Sequence, residues 1–114
     1  MARPSTFNAF VLDQLSGLPM LQIRPMFGCY GLYCGGLFFA IIMDDRLFFR
    51  TDETTVGNYL KMGMQPLIFR ESQKINSYYE VPDRVVKNRK DLTTWAQAAI
   101  NCQRQRKLSK KSKR

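Results

Sequence analysis

The sequence contains no histidine, so the commonest general base and metal ligand of proteins is missing. It also lacks a G-x-S-x-G nucleophile motif and a phosphate-binding G-x-x-x-x-G-K-[ST] loop. Cysteine is scarce and odd in number, at three, which argues against a disulfide framework and favours a reducing compartment. These absences predict a non-enzymatic chain without a cofactor, and a small enzyme is the least supported alternative.

Long apolar runs are absent as well. No stretch approaches the roughly 20 apolar residues that a membrane-spanning helix needs. The N-terminal letters MARPSTF lack the apolar core of a signal peptide. We therefore expect a cytoplasmic location and no membrane partner.

Acidic residues are absent from the C-terminal end, although the chain as a whole carries a net charge of +9. Residues 104–114 contain seven of the eighteen Lys and Arg, which leaves residues 1–103 with eleven bases against nine acids. This distribution predicts a folded domain over 1–103 and a basic, disordered tail over 104–114. The tail either makes sequence-nonspecific contacts to DNA phosphates or is only a solvated extension. Its candidate nucleic-acid-binding residues are Arg104, Arg106, Lys107, Lys110, Lys111, Lys113 and Arg114.

The rest of the chain is organised around residues 26–52, where Gly35-Gly36 and Asp44-Asp45 separate three apolar runs. Two polar or glycine residues between such runs are typical of β-hairpins, although Asp-Asp is a poorer two-residue turn than Gly-Gly. We therefore predict an antiparallel meander with strands Cys29–Cys34, Leu37–Met43 and Arg46–Thr51.

If both turns contain two residues, Gly31 lies opposite Ala40 and forms a shallow trough under a helix. Both faces of the meander are then apolar, and the helices of a 114-residue chain can cover only one of them. We expect the other face to meet a protein partner or, in a homodimer, a second copy. This predicted partner interface consists of Tyr30, Leu32, Phe39, Ile41, Arg46, Phe48 and Arg50.

Helical periodicity flanks the predicted sheet on both sides. Ser5 or Thr6 can cap an N-terminal helix that ends near Leu15, and Asp91 can cap a C-terminal helix with Trp95 in its apolar stripe. Together these patterns predict a two-layer α+β fold, in which an antiparallel sheet of about five strands packs against the N-terminal and C-terminal helices.

Three residue groups have chemical alternatives that we consider weaker. Asp44-Asp45 could form a metal site or an acid pair, but neighbouring turn residues point apart, so a polar turn is favoured. Cys29, Cys34 and Cys102 could bind zinc, yet buried thiols explain them better, and we predict no metal. The aromatic residues of the meander could stack nucleobases, but their aliphatic surroundings favour core packing.

The letters MFGCYGLY, followed by a small turn, an apolar strand, D-D and L-F-F-R, resemble the core motif of the TfoX (Sxy) N-terminal domain family. The matching positions are Met26, Phe27, Gly28, Gly31, Leu32, Tyr33, Asp44, Asp45, Leu47 and Arg50. Further on, Tyr78–Pro82 resembles the family's Y-[YF]-x-[VL]-P, and the spacing of Leu92, Trp95 and Ala99 is similar to its closing helix.

This resemblance implies an α+β fold and a regulator acting in transcriptional control of DNA-uptake competence in bacteria. It also implies a protein partner such as the cyclic-AMP receptor protein. Cys29 departs from the family pattern, where a second glycine is frequent, and the basic tail is an addition. Sequence-nonspecific nucleic-acid binding through the tail is the alternative function.

Overall fold

The predicted α+β architecture is confirmed by the computed structural model, which describes residues 6–69 and 73–112. An antiparallel sheet has six strands rather than about five, in the order β1-β2-β3-β4-β6-β5. The elements in chain order are α1 Thr6–Gln14, β1 Leu21–Met26, β2 Cys29–Cys34, β3 Leu37–Met43, β4 Arg46–Arg50, α2 Val56–Lys61, β5 Pro66–Phe69, β6 Gln73–Glu80, α3 Asp83–Val86 and α4 Arg89–Ser112. Among the described residues, no helix is both long and apolar enough to cross a membrane.

The central meander forms as predicted, and both of its turns contain two residues. The φ angles are 57° and 84° at Gly35 and Gly36, and 52° and 58° at Asp44 and Asp45. Positive φ at both central residues is the turn geometry that matches the right-handed twist of the flanking strands. Aspartate tolerates this region better than most residues, so the poorer Asp-Asp signal still closes a tight turn.

A β-bulge in β3 changes the predicted register. Leu32 pairs with Ala40 and Tyr33 pairs with Phe38, which leaves Phe39 as the extra residue. The predicted trough between Gly31 and Ala40 is therefore wrong, because Gly31 pairs with Ile41. A Cβ atom at Gly31 would lie 2.6 Å from Met26 Sδ and 2.9 Å from Phe38 Cε1, so its close neighbours are side chains of the sheet rather than a helix.

The main core lies between the sheet and the helices, with α4 packed across β3 and β4. Phe39 and Phe49, whose ring centroids are 5.9 Å apart, are completely buried there. Gln14 of α1 donates from Nε2 to the carbonyl oxygen of Val86 at 3.0 Å, which joins the N-terminal helix to α3. The helices thus cover the central strands on one face of the sheet.

The apolar centre of the second face is buried by side chains from several strands of the sheet. Ile41 and Phe48 are buried in a cluster that also includes Cys29, with Leu67 from β5 and Ile75 from β6 packed against them. The predicted bare apolar surface is therefore not present in the described part of the chain. The homodimer prediction depended on that bare surface, so the structure does not support it.

Helix α4 begins earlier and ends later than predicted. The Asn88 side-chain oxygen accepts a hydrogen bond from the Asp91 amide at 3.0 Å, so Asn88 rather than Asp91 caps the helix. At the other end the helix continues through Ser112, which corrects the predicted disorder for residues 104–112. Trp95 is half-buried and packs edge-on against Tyr59, with ring centroids 4.8 Å apart. It therefore packs at the rim of the core.

Candidate nucleic-acid interface

The last turns of α4 present basic side chains to solvent. Gln103 donates from Nε2 to the carbonyl oxygen of Phe38 at 2.6 Å and so fastens the helix to the start of β3. Beyond this contact, Arg104, Arg106 and Lys107 are exposed. The structure therefore describes the side chains of three predicted nucleic-acid-binding residues on a regular helix. The structure does not describe the side chains of Lys110 and Lys111. It does not describe Lys113 and Arg114 at all.

A row of arginine and aromatic side chains crosses the second face of the sheet, and we call Arg24, Tyr33, Phe38, Tyr78 and Arg50 the ladder. The Arg24 guanidinium carbon lies 5.2 Å from the Tyr33 ring centroid. Tyr33 stacks on Phe38 at 5.1 Å, and Phe38 meets Tyr78 at 5.7 Å. The Arg50 guanidinium closes the row at 5.8 Å from the Tyr78 ring. Each end of an aromatic stack is thus covered by a cation.

One basic residue of α4, Arg106, acts electrostatically on Tyr78 of the ladder. Burial raises the pKa of Tyr78, while the charges of Arg50 and Arg106 act in the opposite direction, so Arg106 lies close enough to influence the ladder. Among the described residues, the only two salt bridges are Lys87–Asp83 and Arg89–Asp13, neither of which involves these arginines.

Arg50 has unused hydrogen-bonding capacity. Its Nε is buried without a hydrogen-bond partner in the described part of the chain. A buried cationic N–H favours any acceptor that can reach it, and a phosphate oxygen is one such acceptor. Arg50 also lines a cleft of about 110 Å³ between α2 and α4, together with Thr55, Asn58 and Thr94.

The residues of the predicted partner interface do not share one surface. The bulge places Leu32 and Phe39 in the helix-covered core and leaves Tyr30 half-buried against the same core. Ile41 and Phe48 are buried in the second cluster. Arg46 is exposed, and Tyr30 and Arg50 are half-buried, so these residues do not form the contiguous face that the sequence predicted.

The cysteines and acids do not assemble a metal site in the part of the chain that the structure describes. Cys29 lies in the second cluster and Cys34 in the main core, on opposite faces as predicted. Burial raises the pKa of the Cys29 and Cys102 thiols, so both remain protonated and unreactive at neutral pH. Asp44 and Asp45 are exposed turn residues.

The two turns that carry the motif residues lie at one end of the sheet, which we call the motif end. Phe27, in the turn between β1 and β2, is 82% exposed. The adjacent Gly28 lines a cleft of about 400 Å³ together with Asn8, Asp44 and Asp45. Phe27 is therefore an aromatic side chain that the fold does not use for packing.

Comparison with known protein families matches residues 13–103 to the TfoX N-terminal domain. The chain belongs to the TfoX N-terminal domain family. The match covers both turns of the motif end and every member of the ladder, whereas the exposed basic end of α4 lies just beyond it. No curated protein matches this TfoX N-terminal domain protein.

Sequence reasoning identified the basic residues after Gln103 but not their helical arrangement, and it missed the ladder. The Tyr33–Phe38 pair follows from the two-residue Gly35-Gly36 turn, which sets these residues opposite each other. Arg24 and Tyr78 could not be added, because β1 and β6 join the row only through the register of the complete sheet.

Proposed function

We propose that this TfoX N-terminal domain protein is a non-enzymatic, cytoplasmic regulatory domain. In this proposal it acts in transcriptional control of DNA-uptake competence by binding a protein partner. The observation that carries the proposal is the exposure of Phe27 at the motif end. Membership of the family supports the regulatory role, and the family resemblance suggests the cyclic-AMP receptor protein as the partner.

The motif end has the features of a small protein-docking site. Aromatic residues are enriched in protein interfaces, where burial of a large ring stabilises the complex. Phe27 can enter a pocket of the partner, while the cleft beside Gly28 can receive a side chain in return. The exposed Asp44 and Asp45 at this cleft favour a basic partner surface.

Phe27→Ala is expected to weaken binding to purified cyclic-AMP receptor protein by at least about tenfold, because a buried aromatic anchor is lost. Leu60→Ala is the matched control, since Leu60 is a 56% exposed apolar residue on α2, outside the motif. Isothermal titration calorimetry measures both affinities. Equal affinities for the wild type and Phe27→Ala would remove the motif end from the proposal, and no binding by the wild type would remove this partner.

Nucleic-acid binding is the second candidate function, and the helical presentation of Arg104, Arg106 and Lys107 favours it. Basic side chains on an exposed helix can follow the phosphates of a duplex groove. Such binding depends on charge and is insensitive to the base sequence.

Deletion of residues 104–114 is expected to abolish duplex binding while leaving the domain folded. If all seven bases of this segment met phosphates, the logarithm of the affinity would fall with the logarithm of salt concentration with a slope of about −6. Fluorescence anisotropy with a labelled duplex measures the slope, and circular dichroism checks folding. Lys87→Gln, at an exposed base outside the segment, is the control. A folded truncated chain that binds the duplex as well as the full chain would contradict this candidate.

A further inference from the structure

We propose that the ladder binds single-stranded nucleic acid, with a base stacked on Tyr33 and the phosphates on Arg24, Arg50 and Arg106. This inference deepens the second candidate function and rests on it, because it names the class of nucleic acid and assigns a site within the matched domain. The basic end of α4 then supplies additional phosphate contacts.

Tyr33 offers the ring face that a base needs. One face of its ring stacks on Phe38 at 5.1 Å, and the Arg24 guanidinium covers the other face at 5.2 Å. Arg24 is itself exposed, and its hydrogen bond to the Gln22 side chain is long, at 3.5 Å. The guanidinium can therefore move aside without breaking a strong contact.

Stacking of a base on an aromatic ring is stronger than an exposed cation–π contact. A base that enters between Arg24 and Tyr33 consequently replaces a weaker interaction with a stronger one. Arg24 can then cover the outer face of the base and approach its phosphate. Duplex bases are already stacked on each other, so this exchange requires a single strand.

The charges on this face favour a polyanion. Arg24 lies at one end of the ladder and Arg50 at the other, so phosphates spaced along a strand can reach both guanidinium groups. The neighbouring acid Asp52 is already engaged, because its carboxylate accepts hydrogen bonds from the Thr54 amide and hydroxyl. Glu80 pairs with Phe48, further along β4 from Arg50 and towards the Asp44-Asp45 turn.

A protein occupant fits this face less well. The apolar residues of the second cluster are already buried by the sheet itself, so little apolar area remains for a protein interface. Along the ladder, the groups that remain accessible are guanidinium groups and half-buried aromatic rings. Charge complementarity and base stacking therefore favour single-stranded nucleic acid over a protein as the ligand of this site.

The experiment uses the full chain with a fluorescein-labelled ten-nucleotide thymidine strand and a ten-base-pair duplex, compared by anisotropy. Tyr33→Leu is expected to weaken binding of the strand by about tenfold and to leave duplex binding unchanged. Arg24→Gln should weaken strand binding severalfold and make the salt slope shallower by about 0.7. Arg84→Gln, at an exposed arginine on α3, is the matched control and should change neither measurement.

A further full-length variant, in which Lys107, Lys110, Lys111 and Lys113 are glutamine, separates the two nucleic-acid hypotheses. Retained strand binding with lost duplex binding supports the ladder and limits the role of α4 to duplexes. Loss of both in this variant, with full binding by Tyr33→Leu, overturns the ladder and leaves α4 as the site.

Photocrosslinking of the wild type tests the site even if Tyr33→Leu does not fold. A strand that contains 5-iodouracil should crosslink to Tyr33 or Phe38, because the photoreactive base stacks beside them. Crosslinks confined to α4 or to the motif end would overturn the proposal.

Discussion

Replacement of Phe39 with alanine is expected to lower the free energy of unfolding by about 3–5 kcal/mol. Phe39 is completely buried under the helices and packs against Phe49. The substitution removes the transfer free energy of the ring and leaves a cavity that the rigid sheet cannot close. Urea denaturation followed by circular dichroism measures the difference.

Phe27→Ala is the matched control for Phe39→Ala, because it removes the same ring from an exposed turn. Its free energy of unfolding should stay within about 0.5 kcal/mol of the wild type. Equal and small effects at the two positions would show that Phe39 lies on the surface, as the sequence pattern had predicted.

Phe48→Glu is expected to prevent folding. Phe48 is 4% exposed in the second cluster, so the substitution removes an aromatic ring and buries a carboxylate among apolar side chains. The lost ring alone costs about 3–5 kcal/mol and the unpaired charge several more, against a total stability of about 5–15 kcal/mol for an ordinary domain. Circular dichroism and gel filtration should show a chain without a cooperative melting transition.

The control for Phe48→Glu is Phe48→Leu, which keeps an apolar side chain and should reduce stability by less than Phe48→Glu does. The sequence pattern had assigned Phe48 to a homodimer interface, in which case glutamate would have given a folded monomer. A folded Phe48→Glu chain with the melting temperature of the wild type would restore that interpretation.

The turn residues in the sequence predicted the strands of the meander closely. The strand bounds of β2 and β3 follow from the Gly35-Gly36 and Asp44-Asp45 breaks, because a two-residue turn sets both ends of the flanking strands. The family motif is also local, and residues 13–103 match as the resemblance had implied. The two-layer arrangement of helices on a sheet could be inferred from the order of the elements.

The bulge could not be predicted from the pattern. Every residue of Leu37–Met43 is apolar, so either register buries an apolar set and alternation carries no information about Phe39. The sequence could not predict how the second face is covered either, because Leu67 and Ile75 are distant in sequence from Ile41 and Phe48. Only the complete sheet brings these side chains together.

The predicted start and the predicted end of α4 were wrong for two different reasons. Asn88 and Asp91 are both good capping residues, and composition alone cannot decide between them. At the C-terminus, the abundance of lysine and arginine suggested disorder, although both residues have favourable helix propensity when a preceding helix already supplies the nucleus. The ladder was missed because its members come from five separate strands.

Because α4 is continuous, its basic C-terminal segment extends from the domain in one fixed direction. A helix rises about 1.5 Å per residue, so residues 104–112 extend roughly 13 Å as a stiff rod from the point where Gln103 is anchored to Phe38. A flexible linker would let a bound duplex sample many orientations relative to the sheet. If the second candidate function holds, the rod would instead keep a bound duplex at one angle to the domain, and a protein docked at Phe27 would then face the same side of the DNA in every complex.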